Sequence, residues 1–81
     1  MIRLTLYGRA ECHLCEEMRA VVEHVAHEVP VLLEHVDVDS DPALAAAYGA
    51  DVPVLCVNGR RAFKYRVEAS ALRARLAREP A

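Results

Sequence analysis

Two cysteines separated by two residues, Cys12 and Cys15, lie where a short apolar strand is predicted to give way to a long amphipathic helix. A thiol pair at this spacing can close a small disulfide ring, and the amide dipoles of a first helical turn favour a thiolate over a thiol. We therefore expect a dithiol redox centre, in which Cys12 attacks a substrate disulfide and Cys15 resolves the mixed disulfide. The alternatives are two buried structural cysteines or half of a zinc site, but the chain has no second C-x-x-C to complete a zinc site.

Charged neighbours of the cysteines act in opposite directions. Arg9, three residues before Cys12, can add positive charge that favours the thiolate, whereas Glu11 opposes it. His13 lies between the two thiols, and two interpretations of it stay open. As an imidazolium it would stabilise the Cys12 thiolate, and otherwise it is a solvent-facing residue without a role.

The helix that carries the cysteines has one apolar stripe, which predicts how deeply each sulfur is buried. Projection at about 100° per residue places Cys15 on the flank of this stripe and Cys12 well outside it. We expect an exposed first sulfur and a half-buried second one, and we expect Pro30 to end the helix. The stripe consists of Leu14, Met18, Val21, Val22, Val25 and Val29.

The rest of the chain reads as alternating strands and helices. Strands are predicted over residues 1–7 and 31–38, the second with its acidic positions suited to a sheet edge. Asp41 and Pro42 favour the start of a short helix over 43–48, with Gly49 as a left-handed cap. Asn58-Gly59 predicts a tight turn between strands 54–57 and 61–65, and a last helix covers about 68–78. The order βαβαββα implies a mixed four-stranded sheet with three helices covering both faces.

Composition limits the class of protein. The 81 residues fit a single α/β domain over 1–81, with 54% hydrophobic residues, and the net charge of −2 gives no case for nucleic acid. No apolar run approaches the roughly 18 residues of a membrane span, and no secretory signal is recognisable, so we expect a cytoplasmic protein. Three cysteines do not make a structural disulfide framework, and Cys56 is interpreted as a buried bystander. His24, His27 and His35 are interpreted as surface residues, and we predict no metal site.

Two segments resemble the glutaredoxins of the thioredoxin superfamily, and the order of elements is similar along the whole chain. Residues 6–15 look like the active-site segment, and 51–54 look like the family's Val-Pro step. The resemblance implies a thioredoxin fold and a cis Val52-Pro53 peptide that docks the substrate backbone beside the dithiol. It also implies that Tyr7 and Arg9 flank the thiol. We expect substrate to be bound by Tyr7, Arg9, His13, Val52 and Pro53. The C-x-L-C motif is similar to that of small bacterial glutaredoxin-like proteins.

Two departures from the glutaredoxin pattern bear on the co-substrate. His-Leu replaces the usual Pro-Tyr between the cysteines. Glutaredoxins hold the γ-glutamyl end of glutathione with a Gly-Gly turn followed by an acidic or hydroxyl residue, and residues 65–70 lack the glycine pair. The resemblance implies a thiol-disulfide oxidoreductase that acts on protein disulfides or glutathione-mixed disulfides, and we expect a monomer. It needs no bound cofactor, and glutathione is its expected co-substrate. Reduction by a thioredoxin reductase, or an iron–sulfur-binding role shared with glutathione, are the alternatives.

Overall fold

The computed structural model describes residues 1–80 and contains the seven main elements in the predicted order. The fold class is confirmed as a thioredoxin-like α/β fold with the order βαβαββα. No helix within residues 1–80 has the length and apolar character needed to cross a membrane. The predicted domain over 1–81 ends at a residue outside the described part, and its extent stays a prediction. The strands are β1 (Ile2–Gly8), β2 (Val31–Asp37), β3 (Val54–Val57) and β4 (Arg60–Lys64), and the helices are α1 (His13–Ala26), α2 (Pro42–Tyr48) and α3 (Ala69–Ala77).

The four strands form one mixed sheet in the order β2-β1-β3-β4. β1 and β2 are parallel because α1 crosses between them, whereas β3 runs antiparallel to β1 and forms a hairpin with β4. β2 therefore lies at an edge of the sheet, as its acidic positions predicted. The central strand β1 ends at Gly8, and the loop that follows it leads directly into α1.

Alternation along β1 and β3 divides the hydrophobic residues between two faces of the sheet. One face packs against α1 and α3 and holds the main core. On the opposite face, the ring of Tyr48 in α2 stacks on Tyr7 with ring centroids 4.0 Å apart. Helices thus cover both faces, as predicted. The main core contains Ile2, Leu4, Leu6, Met18, Val22, Val25, Leu55, Val57, Leu72 and Leu76.

Several predicted boundaries need small corrections. The first helix begins at His13, one residue later than predicted, because Cys12 has extended backbone and acts as its N-cap. The helix ends at Ala26 and not at Pro30, since the N–H groups of Glu28 and Val29 both bond to the Val25 carbonyl and close a final turn. The second strand ends at Asp37, and the residue after it, still fully buried, opens a short 3-10 turn.

Gly49 follows α2 as expected, but the prediction of a left-handed cap is wrong. Its φ of −55° is right-handed, so its conformation is open to any residue. The need for glycine is steric, because a Cβ atom there would clash with the Ala45 carbonyl oxygen and lie 3.2 Å from the Arg9 guanidinium. Gly49 is therefore a point of close approach between α2 and the loop after β1.

The Asn58-Gly59 turn joins three elements at the end of the sheet away from the cysteines. Both residues have positive φ, +50° and +83°, as a tight type I′ hairpin turn requires. The Asn58 side chain accepts a hydrogen bond from the Arg3 N–H at 2.9 Å and donates one to Glu79 at 2.7 Å. One side chain thereby connects the hairpin to the start of β1 and to the residues after α3.

We predict that Asn58→Ala lowers the free energy of unfolding by about 1–3 kcal/mol, because it removes two side-chain hydrogen bonds and the tolerance of asparagine for positive φ. Asn58→Gly is the matched variant, since it keeps the tolerance for positive φ but loses both side-chain hydrogen bonds, and it should fall between Ala and wild type. Urea unfolding measures both. A change below ~0.5 kcal/mol for Asn58→Ala would contradict this role of the turn.

Candidate redox site

Cys12 and Cys15 are joined as a disulfide at the start of α1, with their Cα atoms 5.2 Å apart. Cys12 has the extended backbone of an N-cap residue, and its sulfur accepts a hydrogen bond from the Cys15 N–H at 3.2 Å. Side-chain oxygens of Ser, Thr, Asp or Asn usually serve this purpose. Here the atom that caps the helix is a sulfur, and the same contact can stabilise a thiolate when the disulfide is reduced.

The two sulfur-bearing residues differ in burial in the predicted direction. Cys15 is 8% exposed and packs beneath the end of β1, where a Cβ on Gly8 would lie 3.3 Å from its sulfur. Cys12 is half-buried and lies nearer the surface. Both are more buried than the helical projection predicted, because that projection ignores the strand ends and loops packed around the helix N-terminus. The outer thiol is the one that a large substrate can reach first.

The Val52-Pro53 peptide bond is cis, as the resemblance implied. The pairing of Tyr7 with Val54, continued by one residue, brings Pro53 opposite Gly8, which itself contacts Cys15. The cis peptide and the dithiol therefore meet at the same end of the sheet. Within residues 1–80, the N–H and carbonyl of Val52 have no hydrogen-bond partner, whereas the Pro53 carbonyl accepts from the Tyr65 N–H at 2.8 Å.

Arg9 does not carry a free positive charge to the dithiol. Its guanidinium donates to both carboxylate oxygens of Asp39 and to the Gly49 carbonyl, each at 3.2 Å. These contacts connect the loop after β1 with the 3-10 turn and with the end of α2. The charge expected to act on the Cys12 thiolate is balanced by Asp39, so its contacts make Arg9 a structural link between loops.

His13 lies beside the motif, but its side chain extends into solvent. It is 84% exposed and pairs with Glu17, one helical turn later, at 3.1 Å. This placement favours the solvent-facing interpretation over an imidazolium directed at Cys12. The acidic partner also offsets any charge that the imidazole acquires.

The Tyr7 ring lies on the face of the sheet opposite the one on which Cys15 packs, and its expected role beside the thiol stays a prediction. Successive residues of a strand face opposite sides, so Gly8 contacts Cys15 whereas Tyr7 packs on Tyr48 of α2 on the other face. Burial, together with the hydroxyl of Tyr48, raises the pKa of the Tyr7 phenol. The contacts of Tyr7 belong to the packing of α2 against the sheet.

Two residues beside the cis peptide were not singled out by the sequence. Asp51 accepts hydrogen bonds from Arg61 and from the Tyr65 hydroxyl, each at 3.1 Å. The hydrogen bonds from these two groups hold the pKa of the Asp51 carboxyl below its usual range. Asp51 carried a weak signal as the neighbour of the Val-Pro step. Tyr65 carried no such signal, because no sequence pattern predicts a left-handed backbone at a tyrosine. Its φ of +68° is unusual for an aromatic residue.

The third cysteine and the histidines offer no second reactive centre among residues 1–80. Cys56 is free and buried as expected, and burial raises the pKa of its thiol. No group of three or more potential ligands is placed to hold a metal ion within the same residues.

The fold and the site together define a thioredoxin-fold domain with a C-x-x-C pair at the start of its first helix. The family of glutaredoxin-like domains (DUF836) matches residues 3–77, and the chain belongs to this family. None of the curated proteins compared with the chain matches it.

Solved structures are similar over almost the whole chain. The XcR50 protein of X. campestris is 38% identical, with 95% of this chain and 99% of that one covered and a TM-score of 0.76. Protein Ne2328 of Nitrosomonas europaea is 30% identical, with coverages of 91% and 89% and a TM-score of 0.78. A mutant thioredoxin of Halobacterium salinarum is 29% identical, with coverages of 90% and 69% and a TM-score of 0.65.

We predict that Arg9→Ala changes the rate of Cys12 alkylation in the reduced protein by less than about threefold, since Asp39 already balances the guanidinium charge. The same variant should lower the free energy of unfolding by about 1 kcal/mol, because three hydrogen bonds between loops are lost. Alkylation kinetics and urea unfolding test the two parts separately. Asp39→Asn is the control: it leaves Arg9 in place without its counter-charge and should speed alkylation. A large loss of Cys12 reactivity in Arg9→Ala with unchanged stability would contradict the structural role.

Proposed function

We propose that this domain is a thiol-disulfide oxidoreductase that reduces disulfides through Cys12 and Cys15. The observation that carries the proposal is the hydrogen bond from the Cys15 N–H to the Cys12 sulfur. It gives the outer cysteine an amide that favours the thiolate, and it holds the second cysteine at disulfide distance behind it. The coarser conclusion, a glutaredoxin-like domain with a close cysteine pair, is independently supported by the family.

The reaction proceeds in two exchanges. The Cys12 thiolate attacks one sulfur of the substrate disulfide, the substrate S–S bond breaks, and the departing thiolate takes up a proton. Cys15 then loses its proton and attacks the Cys12 sulfur, which releases the second substrate thiol and forms the Cys12–Cys15 disulfide. The substrate gains two electrons and two protons, one proton from Cys15 and one from solvent, and an external dithiol or thiol donor must return the two electrons to the domain.

Protein disulfides are the proposed substrates, and a reductase of the thioredoxin reductase class is the proposed electron donor. Two observations favour this donor over the expected co-substrate, glutathione. The charge of Arg9, which would attract an anionic tripeptide, is taken by Asp39. Residues 65–70, which lead into α3, lack the Gly-Gly turn that the glutaredoxin pattern has at its glutathione site. Glutathione-mixed disulfides remain the second substrate to be tested.

The proposed compartment, cofactor requirement and oligomeric state follow from the two exchange steps. A dithiol that must be reduced after each turnover suits the cytoplasm, where the thioredoxin and glutathione systems keep thiols reduced. No bound cofactor is required by the two exchanges. We propose that the domain acts as a monomer, since both cysteines and the Val52-Pro53 segment belong to one chain.

We predict that Cys12→Ser lowers disulfide reductase activity by at least about 100-fold, because no other accessible thiol can replace the nucleophile. Cys15→Ser should lose turnover of protein disulfides but accumulate a mixed disulfide on Cys12, which mass spectrometry detects. Cys56→Ser is the matched control and should keep wild-type activity, since that thiol is buried on the other face of the sheet. Full activity in Cys12→Ser would overturn the proposal.

The proposed electron donor is tested by running the wild-type assay with each of the two donor systems. A glutathionylated peptide and a protein disulfide should each be reduced faster with NADPH and thioredoxin reductase than with glutathione and glutathione reductase. Turnover with glutathione alone would contradict the proposed donor and leave the dithiol mechanism in place.

A further inference from the structure

The loop before β3, residues 49–53, is held by hydrogen bonds from β4 and from the residue that follows β4. Tyr65, the residue after β4, donates its backbone N–H to the Pro53 carbonyl at 2.8 Å. Its hydroxyl lies 3.1 Å from an Asp51 carboxylate oxygen and 3.4 Å from the Ala50 carbonyl. Tyr65 thus contacts Ala50, Asp51 and Pro53 of the loop that ends in the cis peptide.

Asp51 is the point at which these contacts converge. Besides the Tyr65 hydroxyl, it accepts a hydrogen bond from Arg61 at 3.1 Å, and the Lys64 ammonium lies 3.9 Å away. Arg61 also donates to the Ala47 carbonyl and lies over the Tyr48 ring, 4.7 Å from its centroid. The carboxylate is therefore tied through β4 to α2.

The residue between these fastened points has both of its backbone polar groups free within residues 1–80. Val52 lies between Asp51 and Pro53, and within residues 1–80 its N–H and carbonyl have no partner. An extended peptide that lies along this segment can pair with both groups, as in the addition of a strand to a sheet. A small disulfide without peptide groups has no use for them.

We propose that Asp51 and Tyr65 are positioning residues that hold the Val52 backbone ready to pair with an extended polypeptide carrying the substrate disulfide. The proposal rests on the proposed oxidoreductase function and assigns to it the residues that favour its polypeptide substrates. Asp51 and Tyr65 do not contact the sulfurs. They select polypeptide disulfides over small ones through the loop that they hold.

The left-handed conformation of Tyr65 supports this assignment. A tyrosine at φ +68° is maintained only where its surroundings require it, and the surroundings here are the contacts with Ala50, Asp51 and Pro53. Tyr65 is 40% exposed, so burial alone does not account for this geometry. The Lys64 ammonium lies 5.3 Å from the centroid of the same ring and adds a contact on the exposed side.

The test compares two disulfides with one chemical electron donor. Reduction of insulin, a polypeptide disulfide, and of hydroxyethyl disulfide, which has no peptide groups, is followed with dithiothreitol as the dithiol that re-reduces Cys12–Cys15. Tyr65→Phe removes only the hydroxyl, and Asp51→Ala removes the carboxylate. Glu28→Gln is the matched control, since Glu28 is also an exposed carboxylate paired with an arginine, but it follows the far end of α1.

We expect Tyr65→Phe and Asp51→Ala to lower kcat/KM for insulin by about fivefold to tenfold, mainly through KM, as the loss of one positioning hydrogen bond implies. The value for hydroxyethyl disulfide should change by less than about twofold, and Asp51→Asn, which can still accept from Tyr65, should recover part of the loss. Glu28→Gln should match wild type with both substrates. If Asp51→Ala does not fold, Tyr65→Phe decides the question.

Equal losses with both disulfides, or no loss with either, would overturn the positioning role while leaving the oxidoreductase function intact. A wild-type protein that reduces neither disulfide with dithiothreitol would instead overturn the proposed function itself. The two failures are therefore distinguishable in one set of assays.

Discussion

The site depends on a sulfur atom that serves as the cap of a helix. The first amides of α1 need an acceptor, and the Cys12 sulfur provides one by accepting from the Cys15 N–H. The same contact sets the distance and order of the two cysteines, with Cys12 at the surface and Cys15 beneath it. Since β1 ends at Gly8, whose missing side chain leaves room for the Cys15 sulfur, the strand and the helix jointly determine where the dithiol lies.

The two ends of the sheet have different tasks. At one end, Asn58 connects the hairpin turn to β1 and to the residues after α3, which closes the core. At the other end, Tyr65 and Asp51 hold the loop with the cis Val52-Pro53 peptide, and the Val52 backbone has no partner among residues 1–80. Hydrogen bonds therefore close the sheet at the first end, and backbone groups stay free at the second within residues 1–80.

Patterns of local origin made most of the fold predictable. The apolar stripe of α1, the Asn58-Gly59 turn and the order of elements each follow from short-range rules of periodicity and turn chemistry. The cis peptide required the resemblance, because cis bonds are a minority of X-Pro bonds and no local pattern marks this one. The sequence alone would have left Val52 and Pro53 as an ordinary extended step.

Contacts between distant residues could not be predicted in the same way. Arg9 binds Asp39, and Tyr65 binds Asp51, across separations of 30 and 14 residues. Such pairs depend on which loops the sheet brings together, and charge alone does not choose among several nearby partners. The same reason explains Gly49, where the need for glycine comes from a neighbouring carbonyl and guanidinium and not from its own φ.

The most direct test of the central claim is competitive alkylation of the fully reduced protein with limiting iodoacetamide, followed by peptide mapping by mass spectrometry. The account predicts that Cys12 is modified first, Cys15 at least about tenfold more slowly, and Cys56 only after unfolding, because reactivity follows thiolate character and exposure. If Cys15 or Cys56 reacts as fast as Cys12, the sulfur that caps α1 is not the nucleophile, and the account is contradicted.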